Sequence, residues 1–177
     1  MSSLKKTVIG AVCIALCVVL PMAFHMNPNA GSDMLPMHIP VLLCGLICGW
    51  PFGLVCGLAG PLLSSLLTSM PPAAILPSMM VECAVYGLVS GLMLLFVRTK
   101  SVYVDLYISM VVAMLAGRIV GGAAKALLFT PGSMSITIWT TSYFVTGLPG
   151  IAVQLAIIPS IVFSLMKAKI VPNRYQN

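Results

Sequence analysis

The sequence predicts an all-α, polytopic membrane protein with six transmembrane helices and both termini in the cytoplasm. Three observations predict it. First, 60% of the 177 residues are hydrophobic and only 7% are charged, against roughly 25% charged in soluble domains; the mean hydropathy is +1.11. Second, long apolar runs alternate with short stretches of turn formers. Third, Lys and Arg gather at the ends of those runs, as the positive-inside rule requires. The net charge of +6 therefore speaks of membrane topology, not of nucleic acid. Residues 1–177 read as a single transmembrane domain.

Helix 1 is expected over about residues 4–24. MSSLKK leads into an apolar run over 7–24. A signal peptide also has a charged start, but this run is long enough to span. Pro21-Met22-Ala23-Phe24-His25 is also a poor cleavage site. Residues 25–36, HMNPNAGSDMLP, form a polar loop. The apolar stretch 36–67 then carries five glycines and four prolines. Helix 2 (about 37–49) and helix 3 (about 52–68) are expected there, joined by a tight WPFG turn, because Pro51 disfavours the α conformation at Trp50. Gly45, Gly49, Gly53 and Gly57 fall at four-residue spacing, which puts small residues on one face for close helix contact.

Helix 2 is short, roughly 20 Å against a hydrocarbon core of about 30 Å. It is either shielded by neighbours or begins below the interface. One fused helix over 37–69 would be roughly 50 Å long and would place the C-terminal cations outside, so five spans are rejected. A proline-rich loop, 69–77, precedes helix 4 (about 78–97), which ends at Arg98-Thr99-Lys100. Helix 5 covers about 103–129. A TPGSMS loop and a short interfacial segment, 136–146, lead to helix 6 (about 147–166), which ends at Lys167, Lys169 and Arg174. With six spans, Lys5, Lys6, Arg98, Lys100, Lys167, Lys169 and Arg174 share one side, and the opposite loops hold no Lys or Arg. That side is cytoplasmic.

Glu82, Arg118 and Lys125 stay inside predicted spans. Intramembrane charges are expensive and usually face a bundle interior. By rise per residue Glu82 lies roughly 6–12 Å, Arg118 roughly 16 Å and Lys125 roughly 6 Å below the outer surface. Arg118 and Lys125 are seven apart and share a face, and Gly121-Gly122 between them would leave open space. One reading is an outward-opening pocket, cationic on helix 5, with Glu82 as acceptor. The other is a Glu82–Arg118 pair that pins two helices while Lys125 snorkels. Asn27, Asn29, His38, Tyr86, Trp139, Tyr143 and Gln154 are candidates to complete the pocket. Tyr86 shares a face with Glu82. His38 has a second reading as a helix cap or packing group, Trp139 and Tyr143 as an interfacial belt, and Gln154 as an interhelical hydrogen-bonding group. The six cysteines, all within apolar spans and without zinc-type spacing, read as small packing residues.

Catalysis is poorly supplied. The chain holds three acids and two histidines. No HExxH, GxSxG or P-loop occurs, and GRIVGGAAKAL lacks the Gly-Lys-Ser/Thr ending. No enzyme activity and no cofactor or metal are expected.

The polar first loop leading into PMHIPVLLCGLICGWPFGLVCGL, the six spans, and the AxxxA pair Ala11/Ala15 in helix 1 resemble the S components of energy-coupling factor (ECF) vitamin transporters. The resemblance covers nearly the whole chain. It implies a bacterial plasma-membrane protein that binds a vitamin or precursor from outside and joins one transmembrane coupling subunit and two ATPases. Ala11 and Ala15 would dock on the coupling subunit. The pocket would lie toward the outer side among helices 4 to 6. No motif names the vitamin. A stand-alone secondary transporter or channel, and a ligand-free assembly subunit, are the rival functions.

Overall fold

The computed structural model describes residues 1–23, 36–129, 141 and 145–172. These form six α-helices: α1 (Ser3–Ala23), α2 (His38–Cys48), α3 (Trp50–Thr68), α4 (Leu76–Phe96), α5 (Val102–Ala124) and α6 (Leu148–Lys167). A π-helical turn, Lys125–Phe129, prolongs α5. Every helix except α2 is long and apolar enough to cross a membrane. Prolines start several of them: α3, α4 and α6 each carry Pro in the first turn, where its missing N–H deprives no intrahelical bond. Asn27, Asn29, Trp139, Tyr143 and most of the segment 136–146 lie outside the described residues.

The break between the second and third helices is a correction to the expected WPFG turn. It falls at Gly49, and Trp50-Pro51-Phe52-Gly53 already forms the first turn of α3. Gly49 has φ +95°, a conformation that glycine adopts without a Cβ clash. A single residue turns the chain sharply. A Cβ on Gly53 would lie 2.7 Å from the Cα of Gly45, whereas eight residues of continuous helix would separate them by about 12 Å.

That turn folds α2 into the centre of the bundle. Nine of its 11 residues are buried, and it packs against α1, α3, α4 and α6. A helix apolar on all sides is a core helix, so neighbouring helices enclose α2 despite its short length. The Cys17 thiol donates to the Met37 carbonyl at 3.8 Å, and the Cys48 thiol to the Lys6 carbonyl at 3.5 Å. Cys17 precedes the end of α1 by six residues, about 9 Å. So α2 starts well inside one end of the bundle and reaches the lysine-bearing end. Shielding by neighbours therefore accompanies its shortness.

The glycine face meets α4. A Cβ on Gly53 would strike the Gly87 carbonyl oxygen, and one on Gly57 the Cys83 carbonyl. The two backbones touch as in small-xxx-small packing. All six cysteines are free and buried, in keeping with a packing role. The outer surface is apolar, with Leu4, Leu66, Leu67, Phe96 and Leu127 each more than 70% exposed. In water such a surface would aggregate; in lipid it is satisfied.

Candidate functional site

Polar side chains collect where α2 begins. His38, the first residue of α2, is 1% exposed. Beside it on α4 are Glu82 and Tyr86, one helical turn apart and both buried. The Tyr86 hydroxyl donates to Glu82 Oε1 at 2.8 Å. His38 Nε2 stands 3.6 Å from the same oxygen, within ion-pair range but too long for a hydrogen bond. The His38 and Tyr86 rings meet edge to face with centroids 4.9 Å apart, a favoured aromatic geometry.

Glycines on α5 make this cluster possible. A Cβ on Gly117 would lie 2.5 Å from the Tyr86 ring, and one on Gly121 would lie 2.7 Å from Glu82 Cβ. The space expected beside Gly121 is therefore not open, because the Glu82 side chain fills it. Between these glycines Arg118 is buried at 3% exposure. A Cβ on Gly147, just before α6, would lie 2.9 Å from both terminal guanidinium nitrogens. Arg118 thus reaches from α5 to the entry of α6. Gln154, two turns into α6, is also buried.

The structure brings His38, Glu82 and Tyr86 into direct contact and buries Arg118 and Gln154. Lys125 is only half-buried. It opens the π-helical turn, and its backbone N–H is shared between the Gly121 and Gly122 carbonyls. Such wide turns are frequent at functional positions. His38 is not a helix cap, since Met37 occupies the cap position and no side chain caps it. Neither His38 ring nitrogen has a hydrogen-bond partner among the described residues, which is unusual for buried polar atoms.

Sequence reasoning passed over Asp105. It sits in the first turn of α5, fully buried, and accepts hydrogen bonds from the Thr99 N–H at 2.8 Å and hydroxyl at 2.7 Å. An acid at a helix N-terminus preceded by Thr and Ser was the available signal. It lies at the opposite end of the bundle from His38, because α4 and α5 run antiparallel through the Tyr86/Gly117 and Glu82/Gly121 contacts.

On α1, Gly10, Cys13 and Cys17 are buried while Ala11 and Ala15 are exposed. The AxxxA face is turned away from the bundle.

The described residues contain no group of three or more His, Cys, Asp or Glu arranged to hold a metal. No curated protein and no solved structure gives a significant match to the chain. The family model described as "ECF transporter, substrate-specific component" matches residues 5–171, and since that match runs through the apolar helices and the buried His38–Glu82–Tyr86 cluster alike, the chain belongs to the family of substrate-specific components of ECF transporters.

Proposed function

We propose that this chain captures a vitamin or vitamin precursor from outside a bacterial cell and delivers it to an ATP-driven ECF module in the plasma membrane. One coupling subunit and two ATPases would supply the energy. The carrying observation is His38: a ring buried to 1% exposure, with neither nitrogen hydrogen-bonded among the described residues, beside a buried carboxylate. Leaving such atoms unsatisfied costs about 1–3 kcal/mol each, and a bound ligand would repay it.

In this reading both termini are cytoplasmic, by the charge asymmetry of the loops, so the start of α2 faces outward. His38, Glu82 and Tyr86 form the floor of the site. Arg118 and Lys125 attract a carboxylate or phosphate on the ligand. Gln154 contributes to the walls. The exposed Ala11/Ala15 face docks on the coupling subunit, because small side chains allow close helix contact.

The test is thermal stabilisation of the purified chain across a panel of vitamins and precursors, read with the wild type and with His38→Ala. One compound should raise Tm in the wild type and lose most of that effect in the variant. A panel in which no compound shifts Tm would refute ligand capture. Uptake into vesicles holding this chain alone, without ATPases, would instead favour a stand-alone transporter.

A further inference from the structure

A cavity of about 220 Å³ lies at the other end of the bundle, between α2, α4, α5 and α6. Its walls are mostly apolar, with Leu94, Leu106, Val162 and Met166 among them. Two charged residues line it, Lys6 and Asp105. The Tyr103–Phe163 stack, with centroids 3.7 Å apart, joins α5 to α6 near this end.

The chain closes the far wall deliberately. After α6, Lys169 adopts φ +58°, a left-handed conformation that costs a non-glycine residue about 1–2 kcal/mol. The Ile170 N–H then bonds back to the Leu165 carbonyl at 3.0 Å, and the reversal brings Val171 and Pro172 over the cavity. Val171 is buried by this turn.

The rim is cationic. Lys5 adjoins Lys6. Arg98 and Lys100 flank Thr99, which is bonded to Asp105. Lys167 and Lys169 lie between the lining residues Met166 and Val171. Lys6 lines the cavity itself, and the other five cations stand within a few residues of its lining in the sequence. Asp105 accepts from Thr99 and keeps its charge, but six Lys and Arg against one acid leave this end of the bundle net positive.

We propose that this cavity is a binding site for an anionic phospholipid of the cytoplasmic leaflet. An acyl segment fills the apolar interior, and the phosphate rests on Lys6 and the surrounding rim. An apolar interior does not suit a free anion, and a zwitterionic lipid would leave the rim unneutralised. Basic pockets between helices on the cytoplasmic side suit anionic headgroups, and that leaflet is itself negative. The placement rests on the membrane orientation proposed above.

The test uses the delipidated full chain with phosphatidylglycerol or phosphatidylcholine added, reading retained lipid by native mass spectrometry together with Tm. Phosphatidylglycerol should be retained and should raise Tm by roughly 5 °C, with phosphatidylcholine retained far less. Lys6→Gln should reduce retention to the phosphatidylcholine level, and Val162→Phe should abolish it by filling the cavity. Equal retention of the two lipids would overturn the proposal. So would retention unchanged in both variants, displacement of the lipid by inorganic phosphate, or occupancy of the cavity only after assembly with the coupling module. Vitamin-panel stabilisation should persist in Lys6→Gln, so failure of this site is distinguishable from failure of ligand capture.

Discussion

The Tyr86 hydroxyl donates to Glu82 one turn earlier on the same helix, at 2.8 Å, inside a bundle that buries both residues. The pair is local in sequence, yet two other helices hold it. α2 brings His38 against both residues, and α5 presents Gly117 and Gly121 where any side chain would collide.

Removing that hydrogen bond should therefore be felt at the ligand. Tyr86→Phe keeps the ring contact with His38 but leaves the Glu82 oxygen without its donor. A hydrogen bond to a charged group is worth about 1.5–3 kcal/mol. Ligand affinity should fall by roughly ten- to a hundredfold, as measured by titration calorimetry. Unchanged affinity would place the pair outside the binding surface.

Charge at the ligand can be probed on α5. The double variant Arg118→Gln/Lys125→Gln should weaken an anionic ligand by roughly tenfold or more and a neutral analogue of the same shape far less. Equal losses for both compounds would remove the two cations from ligand contact.

The α3–α4 backbone contact predicts a stability effect independent of function. Gly53→Ala puts a methyl group into the Gly87 carbonyl, and overpacking of this kind costs typically about 1–3 kcal/mol. The melting temperature in detergent should drop by several degrees. Gly49→Ala should also destabilise, by a different route, because φ +95° is strained for any residue with a Cβ. No change in Tm for either variant would contradict the helix register described above.

The outward AxxxA face predicts a separation of roles. Ala11→Trp or Ala15→Trp adds bulk to positions that are exposed in the isolated chain. Each variant should bind ligand as before but fail to co-purify with the coupling subunit. Normal assembly with either tryptophan in place would exclude this face as the docking surface.

Composition and pattern alone determined the all-helical membrane class and the candidacy of Glu82, Tyr86 and Arg118. Hydropathy reports the length of a buried run, and a charge inside one is conspicuous. The glycine spacing announced a close contact but not its partner, which proved to be α4. Only the tertiary structure decided that the chain turns at Gly49, that α2 is the core, and that His38 thereby meets a carboxylate 44 positions away in the sequence. It alone set Asp105 beside a cavity with Lys6. The reason is physical: periodicity within one helix shows which face is small or polar, but which helix that face meets depends on how all six pack.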